Sequence, residues 1–369
     1  MKVSFVDLSA QDAPIRDELT QVVAEVMRDG NYILGHQVTD FEVAFAEYCG
    51  TDHAVGVSSG LAALELILRG YGIGPGDEVI VPAHTFVGTA AAVSLVGATP
   101  VPVDVDDDFT ISPEAAAAAV NKRTKAVIAV HLYGRIAKMA KLLALSADNG
   151  LKLIEDAAQA HGATLGGQRA GSFGDAAAFS FYPSKNLGAS GDAGAVTTND
   201  PELVKRISAI RNCGQFEKNI HSLIPYNGRL DTLQAAILLV RLRLIEDWNS
   251  ARRRVAVSYA RALEGSGVVL PPQDHTERES AWHLYVVSSS DRDGLKAHLA
   301  RHDIESAVHY PKPVHLQPFY ATLGLGSGSF PKAETAAGSV LSLPMHPNIS
   351  IQQIQYVADR VKEYSKANV

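Results

Sequence analysis

The sequence predicts an α/β chain: a doubly wound, parallel sheet followed by a smaller C-terminal α+β unit. Three observations lead there. Through the first two-thirds, short β-branched runs alternate with helix-like segments, the pattern of parallel strands joined by crossover helices. The runs are apolar at nearly every residue, as strands covered on both faces must be. From Leu230 onward the alternation gives way to a helical stripe. At 369 residues the chain is long for one core, so two domains are expected. The boundary is placed near Ile245, dividing residues 1–245, with their N-terminal arm, from residues 246–369.

Ser59 to Arg69 combines good helix formers with an apolar stripe. Gly74-Pro75-Gly76-Asp77 is a turn, and Gly70 to Gly76 fits neither the dinucleotide fingerprint nor the P-loop. Glu78 to Pro82 reads as a strand, an Ala-rich helix follows, and Thr99 to Val105 reads as the next strand. Ala126 to His131 and Lys152 to Glu155 complete the set of buried runs. Leu233, Ile237, Val240, Leu244 and Trp248 mark one face of a long helix, expected to run unbroken towards Ala262 and to bridge both domains. Arg252, Arg253 and Arg254 would then be its exposed face. Beyond it, Leu284 to Val287 is a strand candidate and Asp293 to Arg301 a helix candidate.

Composition excludes several classes of function. A formal charge of -7 argues against a nucleic-acid binder, which would carry a basic face. Two cysteines, Cys49 and Cys213, cannot build a disulfide framework or a cysteine metal cluster; two buried free thiols are expected, with one structural bridge as the alternative. Thr85 to Val103 carries no charge, but its glycines, prolines and mild Ala-rich centre suit a buried helix leading into a strand, not a membrane span. Met1 to Asp7 meets an acid before any apolar stretch develops, so the expected location is the cytoplasm. Asp104, Asp106, Asp107 and Asp108 resemble a calcium loop, yet Phe109 stands where such a loop needs glycine, so a solvated turn is expected and no metal. His131 reads equally as a core histidine or a functional one, and His161-Gly162 as a turn.

In an open α/β sheet, ligands bind beyond the carboxyl ends of the strands. Polar residues gather in that position. Lys185 lies in a small loop, Pro183-Ser184-Lys185-Asn186-Leu187-Gly188, and read alone it would be a solvated cation. Asp156 ends an apolar strand, where an isolated acid is ordinarily a cap. Gln159 follows one turn later, and Val57-Ser58-Ser59-Gly60 opens a helix whose N-terminus is an anion site. Ser180 supplies a second hydroxyl.

Taken in order, the motifs are far more specific than any one of them. They include Tyr32-Ile33-Leu34-Gly35, Ser59-Gly60, Gly76-Asp77-Glu78-Val79 and Val130-His131-Leu132-Tyr133-Gly134. Glu155-Asp156-Ala157-Ala158-Gln159-Ala160-His161-Gly162-Ala163, Phe179-Ser180-Phe181-Tyr182-Pro183 and Lys185-Asn186-Leu187-Gly188 follow. Asn227, Arg229-Leu230-Asp231, His309-Tyr310-Pro311 and Leu341-Ser342-Leu343-Pro344-Met345 complete the series. With these the chain resembles, over nearly its whole length, the DegT/StrS-type sugar-nucleotide aminotransferases, which depend on pyridoxal 5′-phosphate (PLP) and share fold type I of aspartate aminotransferase; the resemblance implies a mostly parallel sheet of the seven-stranded type.

The resemblance implies Lys185 as the Schiff-base lysine and Asp156 as the partner of the pyridine nitrogen, an acid that keeps the ring electron-accepting. Gln159 corresponds to a cofactor-side glutamine, Ser59, Gly60 and Ser180 to phosphate contacts, and Phe86 to the aromatic stacked on the ring. Asn227 corresponds to a residue reaching a neighbour's phosphate, which implies a homodimer with shared active sites. Tyr182, His309 and Tyr310 are expected to face the sugar nucleotide. The implied reaction is a ping-pong transamination with L-glutamate as donor, in which the freed amine of Lys185 moves the proton. The loop around Lys185 resembles members that aminate C3 of dTDP-linked 3-keto-6-deoxyhexoses in deoxyamino-sugar biosynthesis; amination at C4 of a 4-keto sugar nucleotide is the alternative. Dehydratase relatives carry histidine in place of the lysine, which Lys185 argues against, and a non-catalytic sugar-nucleotide sensor is the remaining reading. Ser184, Gly228 and Arg135-Ile136-Ala137 depart from the usual family pattern and bear on substrate fit.

Overall fold

A computed structural model describes residues 1–367. Its centre is a seven-stranded sheet. The strands are β1 (His53–Val57), β2 (Glu78–Pro82), β3 (Thr99–Val103), β4 (Thr124–Val130), β5 (Lys152–Asp156), β6 (Ala176–Ser180) and β7 (Gly194–Thr198). Their order across the sheet is β1-β7-β6-β5-β4-β2-β3. The run from β3 to β6 is parallel, and β7 alone pairs antiparallel with both of its neighbours. The uncharged stretch from Thr85 resolves into a helix, Val87–Leu95, and β3. No helix among the described residues is long and apolar enough to cross a membrane.

The near-continuous apolar strands have the burial their sequences require. Successive side chains point to opposite faces. Ile80, Val127, Leu153 and Ala177 join the core on one face, while Val79, Val81, Ile128, Ile154 and Ala178 join the core on the other. Because both faces are covered, polar residues are confined to the strand ends. Helix α1 (Gly60–Gly70) follows β1 and helix α2 (Val87–Leu95) follows β2. Both therefore start at the carboxyl edge of the sheet, where β5 ends in Asp156 and β6 in Ser180.

The long helix expected from Leu230 is two helices, α3 (Thr232–Leu242) and α4 (Ile245–Ala262). At the break the Leu244 N–H bonds the Arg241 carbonyl, three residues back, at 3.0 Å, and Leu244 takes φ -107°, ψ -1°. That tightening ends the α-helical ladder. The side chain of Arg241 is drawn away to Asp12 and to the Gly188 carbonyl. Apolar periodicity runs across the break because both helices bury the same side. Arg252 is likewise not on an exposed face: it is 3% exposed, and its guanidinium donates to the carbonyls of Trp282, His283 and Met345.

Beyond α4, strands β8 (Tyr285–Ser288) and β9 (Val340–Leu343) pair antiparallel. Helices α4, α5 (Arg292–Arg301) and α6 (Ile351–Ala367) pack around them on a third core that includes Tyr259, Tyr285, Leu299, Leu341 and Val357. Val3 joins this core and pairs with Ile304, so the N-terminus returns to the C-terminal unit. The acids of 104–108 form a polar turn: Asp104 accepts the N–H groups of Lys332 and Ala333, and Asp107 pairs with Lys332 at 2.8 Å. Cys49 is buried, Cys213 is half-buried, and both are free thiols.

Candidate active site

A cavity of about 440 Å³ opens at the carboxyl edge of the sheet, within the size range of small-molecule sites. Ser59, Gly60, Phe86, Asp156, Gln159, Ser180, Tyr182, Lys185, His309 and Tyr310 all line it. Of the site residues that the family resemblance implies, Asn227 alone stands outside, exposed and bridged to Asn212.

Lys185 is held by its loop. Its N–H donates to the Tyr182 carbonyl at 2.8 Å, and the Ala189 N–H returns to the Phe181 carbonyl at 2.7 Å. Gly188 is required for that tight return, since a Cβ there would lie 2.3 Å from the Pro183 oxygen. The next residue, Asn186, is fully buried and donates to Asn249 Oδ1 at 2.8 Å and to the Ala281 carbonyl at 2.7 Å. Burial pushes the Lys185 ammonium down to about 8, against the opposing pull of Asp156.

Asp156 is buried at the end of β5. Thr89 Oγ1 donates to its Oδ2 at 2.8 Å and the Ala158 N–H to its Oδ1 at 3.3 Å. Since the Thr89 proton is committed, Thr85 must donate in the 3.1 Å contact between the two hydroxyls. Burial raises the Asp156 pKa, while Thr89, Ala158 and Lys185 hold it down. The histidines that surround Lys185 carry no charge to compete with that carboxylate. Burial first, and the Lys185 charge second, lower His161 to about 3, His309 to about 4 and His283 well below its usual range.

The end of the cavity at the N-terminus of α1 is built from close backbone packing. Ser59 caps α1, its Oγ accepting the Ala62 N–H at 3.1 Å, and Gly60 and Leu61 at the helix start line the cavity. A Cβ on Gly60 would sit 2.7 Å from Ser180 Cβ, and one on Gly194 2.4 Å from the Ser59 carbonyl carbon. Glycines at both positions let Ser59, Ser180 and the helix N-terminus converge. Phe86, at the head of α2, is 53% exposed to this space, and its ring lies 5.7 Å from that of Tyr310.

Gln159 sits in a turn rather than one turn along a helix, and it is fixed from both sides. Its Oε1 accepts the Tyr133 N–H at 2.7 Å and its Nε2 donates to Tyr310 Oη at 3.1 Å. Tyr133 Oη in turn donates to the His309 carbonyl, so His84 Nε2 must donate to Tyr133 Oη, at 2.9 Å. His309 is oriented by Ser342, 2.9 Å from its Nδ1. His131 is a core residue: fully buried, it donates Nε2–H to Glu155 at 2.8 Å and accepts the Ala137 N–H.

Thr85, Thr89, Ser184, Asp192 and His283 also line the cavity. Thr89 had a signal, because it stands one turn beyond Phe86 on a helix leaving the same sheet edge. His283 had none, as it is set by the packing of the C-terminal unit and by Asn186 Oδ1, 3.2 Å from its Nδ1.

The profile of the DegT/DnrJ/EryC1/StrS aminotransferase family matches residues 14–362. The chain belongs to that family. It is 46% identical over 366 residues to dTDP-3-amino-3,4,6-trideoxy-alpha-D-glucose transaminase of Streptomyces venezuelae, across 99% of this chain and 97% of the relative. It is 47% identical to the erythromycin biosynthesis sensory transduction protein EryC1 of Saccharopolyspora erythraea, across 98% of this chain and 99% of the relative. The crystal structure of S. venezuelae DesV in complex with a ketimine intermediate superposes with a TM-score of 0.96 at 47% identity, covering 99% of both chains.

Proposed function

We propose that this family member is a PLP-dependent transaminase that converts a dTDP-3-keto-6-deoxyhexose into the 3-amino sugar, with L-glutamate as amino donor. The observation that carries the reading is the convergence of Lys185, lowered to about 8, and a buried, hydrogen-bonded Asp156 on one cavity. The residues present fit PLP. Lys185 Nζ would hold it covalently, Asp156 its ring nitrogen, Ser59, Ser180 and the N-terminus of α1 its phosphate, and Phe86 one face of the ring. When bound, the cofactor supplies an electron-accepting ring next to the carbon that receives the amine.

The protein's own groups then do the following. Asp156, whose carboxylate form Thr89 and Ala158 favour against its burial, would favour a protonated ring nitrogen. Lys185 Nζ, when free of the cofactor, would serve as the general acid–base that takes the proton from the donor's α-carbon and returns it. Its lowered pKa suits it to both halves of the transfer, because a group near ambient pH both takes and returns a proton. His161, His283 and His309, held neutral, leave the carboxylate of Asp156 as the counter-charge to that amine. Gln159, clamped by Tyr133 and Tyr310, presents a fixed edge to the ring. Tyr182, His309 and Tyr310 would contact the sugar nucleotide, and Asn227 would reach the neighbouring subunit's phosphate in a homodimer.

The choice of C3 rests on the relatives. Relatives named for dTDP-3-amino sugars stand beside relatives named for UDP-linked 3-keto sugars, so the amination position recurs while the nucleotide varies. Purified protein with PLP and glutamate, offered dTDP-linked 3-keto and 4-keto 6-deoxyhexoses and weighed by mass spectrometry, tests it. Amination of the 4-keto sugar with the 3-keto isomer untouched would overturn the C3 assignment. EryC1's name raises the sensor reading, and a protein-bound PLP absorbance without any product from a full panel would favour it.

A further inference from the structure

We propose that His298, His302 and Glu363 form a transition-metal site that clips helix α5 to helix α6. It is independent of the transamination cavity, which none of the three residues lines. His298 and His302 are four residues apart at the C-terminal end of α5, the spacing that brings side chains together on one helix face. Their rings lie 4.6 Å apart, centroid to centroid. Glu363 comes from α6, which packs on α5. One ligand atom from each residue lies within 4.8 Å of the others. Ligands bonded at about 2.0–2.2 Å stand roughly 3–3.5 Å apart, so closure by up to about 1.5 Å completes the site. His302, at the helix cap, and Glu363, exposed, are placed to make that movement.

The chemistry of the set selects the ion. Two imidazoles and one carboxylate suit zinc and its first-row neighbours, while calcium and magnesium demand oxygen ligands. His298 Nε2 is buried without a hydrogen-bond partner, a vacancy that costs free energy unless something fills it. Glu363 gives Oε2 to Arg360 at 2.5 Å, which leaves Oε1 for an ion. Arg360 and Arg301 stand close enough to oppose a cation, which restrains the affinity. A bound ion would cross-link two helices of the C-terminal core and raise its stability by mass action.

The test uses tag-free full-length protein with its cofactor, stripped by a chelator and titrated calorimetrically with Zn²⁺. One ion per chain is expected, with a rise in Tm, and Co²⁺ should give visible absorption bands of a nitrogen–oxygen site. His302→Asn and His298→Asn should each weaken Zn²⁺ at least about tenfold and abolish the Tm shift, Glu363→Gln should weaken it less, and transamination should be unchanged in all three. His302→Asn and Glu363→Gln keep the test alive should the more enclosed His298 prove necessary for folding. Absence of stoichiometric binding by the unmodified chain, or undiminished binding in His302→Asn, overturns the proposal.

Discussion

The two walls of the cavity are built by different means. The wall formed by the large sheet takes its residues from strand ends and the turns that follow them: Ser59, Asp156, Gln159, Ser180 and Lys185. The opposite wall takes His283, His309 and Tyr310 from the C-terminal unit, where Arg252, Asn186 and Ser342 hold backbone and side chains in place. The first wall is local chemistry on a rigid edge. The second depends on how two packed regions meet, and the difference teaches that cofactor and substrate functions should separate by wall under mutation.

The largest effects belong to the sheet wall. Lys185→Ala should lower transamination by about a thousandfold or more and abolish the protein-bound cofactor absorbance, and Asp156→Asn should lower kcat by roughly 10²–10³. Retention of most activity by either variant would break the division of roles. Thr89→Val, which removes the hydroxyl from Asp156 Oδ2, should cost about tenfold in kcat with KM for the sugar nucleotide little changed. Thr89 lines the cavity and meets Thr85 as well as the carboxylate, so a KM effect of equal size would place it on the substrate side instead.

On the other wall, His309→Gln should raise KM for the sugar nucleotide several-fold, read by steady-state kinetics, while PLP uptake stays as it was. Tyr310→Phe sharpens the comparison because its hydroxyl accepts from Gln159. It should move both quantities, joining the two walls at a single hydrogen bond. The smallest effect is on pH. The folded Lys185 loses its proton near 8 rather than at 10.5, so the rate of PLP uptake by apo-protein should rise with pH with a midpoint near 8. Between those values the unfolded chain holds the extra proton, and apo-protein stability relative to Lys185→Met should increase with pH. A midpoint above pH 10 would mean that the amine is solvated.

What was legible in the sequence follows the same division. The sheet could be read because strands buried on both faces must be apolar throughout, and its polar ends then stood out as Asp156 and Ser180. The convergence of Ser59, Ser180 and Lys185 needed ordered motifs, since each alone is an ordinary cap or loop cation. The break at Leu244 was invisible because α3 and α4 bury the same side, so one apolar period spans both. Arg252 was misplaced on an exposed face because three consecutive arginines look solvated, and nothing in a local window reveals carbonyls presented from Trp282, His283 and Met345. His283 was missed for that reason as well.

Arg252 carries a consequence for how damage to this protein would appear. A single guanidinium gathers three carbonyls from two chain segments, one of which delivers His283 to the cavity. A lesion there would leave every cavity side chain chemically intact while loosening the wall that carries His283. Such a variant would look like an enzyme that has forgotten its substrate, although the changed residue never comes near it.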